Sequence, residues 1–457
     1  MCLSLLLLLQ ASPPPAVAIT HVTVIDADDP APRPDQTVVV RGRRIVAVGP
    51  AAATAVPPGS RVLNGRGRFL IPGLWDMHVH TDVPAGREVL RLYVENGVLS
   101  VRDMAGTWAQ LTAWRRDIAA GRLTGPRIMA SGPYLEGGEI GIPHLLARTP
   151  DEARAAVDSL SRLGVDLVKL HGQLSRESWF AALRAARERG LRTGGHVPRS
   201  ITAAEASDSG LGSLEHLLQI PIPCTPAESL ALAPRFPIQG MLGRCTSADL
   251  APLFARLVRN GTAVVPTQVA AYEISHWPLT DLPGDAYARH LPDTLRRFVT
   301  QIFQIPPGVP ADAHRTGAAL FAKRLALVGA MHRAGVVLLA GTDAPLRNSP
   351  PGFGLHEELA LLVRAGLSPF AALHAATLAP ARWFGMQDSL GTIAPGKLAD
   401  LVLLDANPLS DIRNLRRIRA VVLQGRVLRP RLRRTAGTPR GPTAAGAGGG
   451  VPSSPFF

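Results

Sequence analysis

From Leu70 to Arg364 the chain alternates short apolar runs with stretches of helical period, eight times over. The runs are Leu70–His78, Val98–Asp103, Arg127–Ala130, Val165–Leu170, Leu191–His196, Gly212–His216, Ala263–Thr267 and Val336–Asp343. Helices are expected between most of them, at Arg87–Asn96, Ala109–Ala120, Pro150–Leu163, Arg176–Arg189, Ile201–Ser209, Ala248–Arg259 and Ala311–Arg333, with His356–Arg364 after the last. Strands separated by helices pair in parallel, because a parallel neighbour is reached only through a long crossover. Eight such units over about 300 residues fit an α/β fold of the (β/α)8, TIM-type barrel class. No internal repeat points to a solenoid.

The two ends read differently. Ile19–Ile25 and Thr37–Val48 are rich in β-branched residues, with Arg41-Gly42 as a turn. A similar pattern returns at Asp400–Leu404 and Ile418–Leu428, with Gln424-Gly425 as its turn. Residues 19–69 and 388–428 are therefore expected to form one small β-sandwich domain flanking a barrel at 70–387. Residues 429–457, rich in Pro, Gly, Ala and Arg, are expected to be a solvated, disordered tail.

Composition sets limits on partners. Apolar residues make up 46% of the chain, enough for a sizeable core and too many for a disordered or fibrous protein. The apolar run Leu3–Leu9, interrupted only by Ser4, is far short of the ~20 residues that span a bilayer, so an integral membrane protein is not expected. The net charge is +14, but six arginines without an acid fall between Arg426 and Arg440. The remaining arginines are mixed with acids and lack interleaved aromatics, so no nucleic-acid partner is expected.

Leu3–Leu9 followed by Ala16-Val17-Ala18 is similar to a signal peptide over residues 1–18, although no basic residue precedes it. Export, periplasmic or secreted, is expected if it is one, and a cytoplasmic enzyme if not. In an exported chain Cys224 and Cys245 could pair. Only three of the 49 basic residues are lysines, Lys169, Lys323 and Lys397, so a retained lysine invites a chemistry that guanidinium cannot perform.

The chemistry-bearing residues fall at the carboxyl ends of the expected strands. His78 and His80 close the first, and strand spacing of two turns both side chains to one side. Alone, that pair is evenly balanced between metal ligands and satisfied polar residues. Lys169 closes the fourth run, His196 the fifth, His216 the sixth and Asp343 the eighth. A lysine and an aspartate on the same rim as four histidines are poorly explained as core, because both are rarely buried unpaired.

This ordered set resembles the amidohydrolase superfamily, in its two-metal, imidazolonepropionase-like and prolidase-like branch. The likeness runs from about Ile19 to Leu428 and includes Pro72-Gly73-Leu74-Trp75-Asp76-Met77-His78-Val79-His80, Val98–Asp103 and Gly391–Leu401. It implies two divalent metal ions, zinc by default. His78, His80 and Asp343 would hold one, His196 and His216 the other, and a carbamylated Lys169 would bridge them. It also implies a shared hydroxide as nucleophile and Asp343 as the proton carrier.

Further candidates for substrate or supporting contacts are His144, Tyr134, His171, Asp103 and His356. His144 lies in a loop, Glu136–His144, that departs from the Gly-Gly-His loop of the relatives. A surface histidine at a helix start is the weightier reading of His171. Arg102 and Asp103 are expected behind the site, and His356 either orients Asp343 or caps its helix. His21, His276, His290, His314, His332 and His374 are read as structural or solvent-facing. The insertions Leu217–Thr246 and Gln268–Pro310 would overhang the active face, with Tyr272, Trp277 and Tyr287 equally suited to touching substrate or to packing.

The implied function is hydrolysis of an amide C–N bond in a dipeptide or N-acyl amino acid, a small-molecule substrate. Alternatives are a one-metal deaminase that leaves Lys169 idle, a cyclic amide or lactone hydrolase, and, remotely, a non-enzymatic binder of anionic surfaces. A homo-oligomer is compatible with all of them.

Overall fold

The computed structural model describes residues 15–139, 144–217, 220, 246–276, 282–302 and 313–430. The apolar segment Leu3–Leu9, the Cys224 and Cys245 pair, Trp277, most of the first insertion and the tail beyond Pro430 lie outside the described residues.

Two β systems organise the chain. The first is an eight-stranded mixed sheet made from both ends. Its amino-terminal strands are β1 (Val17–Val24), β2 (Arg33–Arg41), β3 (Arg44–Pro50), β4 (Arg61–Asn64) and β5 (Phe69–Pro72). Its carboxy-terminal strands are β15 (Leu401–Leu404), β16 (Ile418–Leu423) and β17 (Arg426–Leu428). β15 pairs antiparallel with β5, Leu70 opposite Leu403, and this contact welds the two ends together. β1 forks, taking β4 through Val17–Thr20 and β5 through Thr23–Val24. Ile19, Val22, Val38, Ile45, Leu70, Leu401 and Val422 form the core of this unit. Ala18 is fully buried opposite Val39, so Val17 and Ala18 of the Ala16-Val17-Ala18 motif are part of the sheet.

The second system is parallel. β6 (Leu74–Val79), β7 (Val98–Asp103) and β8 (Arg127–Ala130) form one sheet. β9 (Tyr134–Glu136), β10 (His144–Leu146), β11 (Leu167–Leu170), β12 (Arg192–Gly195), β13 (Ser213–Glu215) and β14 (Ala263–Val265) form another. Backbone bonds link the two sheets. The Asp166 N–H donates to the Ala130 carbonyl at 3.0 Å, joining β8 to β11. On the other side, residues 336–344 bridge β14 at Leu338 and β6 at Ala344. The helices between these strands lie close to their expected limits; Thr149, for example, caps Pro150–Leu163 through a reciprocal bond with Glu152.

The structure differs from the sequence reading at three points. Leu70–His78 is not one strand, because the chain passes from the terminal sheet to the parallel sheet at Gly73. A Cβ there would come 2.8 Å from Leu99. Val336–Asp343 makes only isolated bridges instead of a regular strand, since the backbone turns sharply at Asp343, where φ is +60°. The stretch after β8 holds two unforeseen three-residue strands, β9 and β10. Among the described residues no helix is long and apolar enough to cross a membrane.

Candidate metal centre

The carboxyl ends of the parallel strands bring the site together. His78 is fully buried near the end of β6, and His80 follows it, with ring centroids 5.5 Å apart. The backbone N–H groups of Thr342 and Asp343 both donate to the His78 carbonyl, at 3.3 and 2.7 Å. That turn delivers the Asp343 carboxylate, whose Oδ1 lies 3.2 Å from His80 Nε2 and 3.5 Å from His78 Nε2.

His216 leaves β13 with φ +64°, a left-handed conformation that non-glycine residues seldom adopt. In an extended strand Glu215 and His216 would face opposite ways. The turn lets both face inward, and the His216 ring lies 4.5 Å from that of His78. His196 follows β12, with its ring 5.0 Å from His216. Lys169 enters from β11, 3% exposed, opposite Gly194 of β12. The close pairing of these two strands needs Gly195, which has φ +139° and where a Cβ would meet the Leu170 carbonyl at 2.0 Å.

The donor set fits a divalent cation. Potential ligand atoms of His78, His216 and Asp343 lie within 4.8 Å of one another, and all three residues are buried. The buried Nε2 atoms of His78 and His196 have no hydrogen-bond partner. A buried acceptor without a partner is costly, and a bound cation satisfies it. This trio draws on both of the ligand groups expected from the sequence.

Charge is arranged to suit. Burial, then His216 and Lys169, pushes the His78 imidazole well down, so it is neutral with a free lone pair. Burial also lowers His196 strongly and brings His216 to about 4. Burial would raise Asp343, but His216, His78 and His80 outweigh it and hold the carboxylate ionised. Burial lowers the Lys169 ammonium, which favours the free amine.

Several supporting residues were not singled out from the sequence. Glu215 accepts from His78 Nδ1 at 2.8 Å, from the Ser213 hydroxyl at 2.7 Å and from Arg102 at 2.8 and 2.9 Å. Burial raises this carboxyl, but Arg102 and His78 prevail and bring it down to about 2. Thr267 meets His216 Nδ1 at 2.8 Å, and Arg324 donates to the His216 carbonyl at 2.7 Å. The Trp179 indole donates to the His196 carbonyl at 3.2 Å. A usable signal was present for Glu215: its period-two spacing from Ser213 puts the two polar side chains on one face of the strand, with Leu214 on the other. Arg324 carried no such signal, since it arrives from the distant helix Ala313–Arg333.

The other candidates divide. His171 is no surface histidine; it bonds buried Glu136 through Nδ1, and its ring lies 4.4 Å from His196. Tyr134 packs on His171 at 4.8 Å, with the Lys169 Nζ 5.6 Å from its ring centre, and burial raises its phenol. His144 is at the edge of this group, 6.3 Å from Tyr134. Asp103 accepts from the Thr81 N–H at 2.7 Å and its hydroxyl at 2.6 Å, fixing the turn after His80. His356 is buried beside Asn96 and Arg416, and burial lowers it to about 3. Tyr272 stacks on His276, and the Tyr287 hydroxyl donates to Glu357 while its ring stacks on Phe353, so both serve packing. The Lys397 ammonium donates to the Gln387 carbonyl at 2.7 Å and to Thr392, a structural use of a retained lysine.

A family model described as Amidohydrolase family matches residues 274–428. The crystal structure of a prolidase-like protein from Bifidobacterium longum superimposes with a TM-score of 0.69 at 26% identity, covering 92% of this chain and 96% of that one. A Xaa-Pro dipeptidase with bound methionine in its active site gives a TM-score of 0.66 at 20% identity, over 91% of this chain and all of the other. Such neighbours carry a TIM-barrel-like α/β fold. An adenine deaminase from Paracoccus denitrificans is 23% identical over 404 residues, 86% of this chain and 54% of its own length. The chain thus spans about half the length of the curated relatives it matches.

Proposed function

Because this chain belongs to the amidohydrolase family, we propose that it is a metal-dependent hydrolase of C–N bonds, acting on a dipeptide or an N-acyl amino acid. The observation that carries the reading is the pair of unpartnered imidazole nitrogens, on His78 and His196, buried in one cluster with Asp343 and Lys169. In this reading the parallel strands form a closed (β/α)8 barrel, and the sheet from both ends is its small β-sandwich companion. His78, His80 and Asp343 would hold one divalent ion, zinc by default, and His196 and His216 a second. Such a pair, when bound, lowers the pKa of water toward neutrality and polarises a carbonyl.

The chain's own groups supply the rest. The Lys169 amine, favoured over the ammonium by burial, would add to CO2 and release its proton to solvent, and the carbamate so formed would help hold the ions. Asp343 accepts the proton of the attacking water and delivers it to the departing amide nitrogen. Half-buried His171, oriented by Glu136, and buried Tyr134 line the side of the site toward His196 and would contact the substrate.

A second reading, a one-metal deaminase, is favoured by the adenine deaminase relatives. It would use His78, His80, His196 and Asp343 without Lys169. The two are separated by metal content and by Lys169→Arg. Two ions per chain, and hydrolysis of members of a dipeptide and N-acyl amino acid library that is lost in the variant, support the amide hydrolase. One ion with an active variant overturns it in favour of deamination. Export of the chain through its amino-terminal segment also belongs to this proposal, with cleavage ahead of β1 because Val17 and Ala18 are paired in the sheet, and a shortened amino terminus in the secreted protein would test it.

A further inference from the structure

Behind the site, four side chains from three strands form a buried polar group. His78 comes from β6, Arg102 from β7, and Ser213 and Glu215 from β13, and each is 2% exposed or less apart from Glu215 at 3%. We propose that Glu215 fixes His78 in the tautomer able to ligate a metal, and that Arg102 and Ser213 hold Glu215 in place to do so. The inference rests on the metal-centre reading and assigns Glu215 a positioning role within it.

An ionised carboxylate only accepts hydrogen bonds. The 2.8 Å contact to Glu215 therefore requires the proton of His78 to sit on Nδ1, leaving the lone pair on Nε2, the atom without a partner. The other contacts to the carboxylate also need it to accept: two from Arg102 and one from Ser213. Ser213 in turn accepts from Arg102 at 2.8 Å. Arg102 also donates to the Met77 carbonyl, one residue before His78, so the same guanidinium fixes the ligand's backbone and its acceptor. Paired carboxylates of this kind orient metal-ligating histidines generally, and losing one costs about 10–100-fold in affinity.

Glutamine at 215 would put a donating amide where the carboxylate only accepts. Turned toward His78, the amide forces the proton onto Nε2 and silences the ligand. Turned away, it confronts Arg102. In Arg102→Met with Glu215→Gln the amide can donate to Ser213 while its oxygen accepts from His78.

The test is Co2+ titration of the full chain, following stoichiometry, chelator competition and the visible spectrum, with unfolding curves of the metal-free proteins as the folding check. Histidine tautomers are read in parallel from 15N shifts of metal-free, histidine-labelled protein. Expected are Nδ1-protonated His78, a Co2+ affinity lowered at least tenfold with an altered spectrum in E215Q, and substantial recovery in the R102M/E215Q pair. If E215Q does not fold, E215D and the double variant carry the comparison. Unchanged affinity and spectrum in folded E215Q, no recovery in a folded double variant, or an Nε2-protonated His78 would each overturn the proposal. A native chain that binds no Co2+ instead defeats the metal-centre reading, and the 15N shifts then still decide the tautomer.

Discussion

Asp76 accepts hydrogen bonds from both the backbone N–H of Thr342, at 3.0 Å, and its hydroxyl, at 2.7 Å. The contact ties β6 to the turn that carries Asp343, and both partners are fully buried. Thr342→Val keeps the backbone donor and deletes the hydroxyl. We expect a loss of about 1–2 kcal/mol in unfolding free energy, measured by denaturant titration. An unchanged midpoint would show that the backbone bond alone secures the junction.

Gly195 permits the close pairing of the strands that bring Lys169 and His196 together. Gly195→Ala should be destabilising by more than ~1 kcal/mol, since its φ is unfavourable for alanine and the new methyl meets the Leu170 carbonyl. Metal content should fall with stability. Native melting and full metal loading in this variant would contradict the geometric argument.

Asp343→Asn should lower kcat by at least about a hundredfold, in line with removal of a proton-transfer group. Its circular dichroism should match that of the native chain. Lys169→Ala should lose metal and turnover together, with partial return on adding a short carboxylic acid that stands in for the carbamate. Near-normal turnover in either variant would remove the assigned role.

Glu358 is fully buried, accepts from the Val269 N–H at 2.8 Å, and is raised to about 8 by burial. The folded chain therefore keeps this proton over a range in which the unfolded chain, with an ordinary value of 4.5, has released it. Stability should fall as pH rises through that window, at up to ~1.4 kcal/mol per unit for this group alone. Glu358→Gln should melt like the native chain near the lower limit and above it near the upper. Parallel melting profiles across the window would refute the buried-proton account.

Much of this was legible in the sequence. The eight apolar runs mark the segments that join in parallel, because an enclosed strand must be apolar on both faces and its limits show as polar residues. The rim residues were legible for the same reason: His78, His196, His216 and Asp343 interrupt runs that packing alone would leave apolar. What escaped notice depends on distance or on backbone turns. Arg324 reaches His216 across 108 positions of sequence, and no local pattern announces it. The left-handed turn at His216, which turns Glu215 and His216 to the same side, breaks the alternation from which facing is inferred. β9 and β10 are three residues each, too short to show a period, and they hold Tyr134, Glu136 and His144. His171 read as a surface residue because its partner, Glu136, lay in a stretch that looked like loop.

The weld between β5 and β15 has a consequence for how the protein is made. A ribosome releases β5 more than 300 residues before β15, so for most of synthesis Leu70 and Ile71 border an open strand edge. Chaperone occupancy of nascent chains should accordingly persist until Leu428 has emerged, and stalled products ending short of Leu401 should be disproportionately prone to clump.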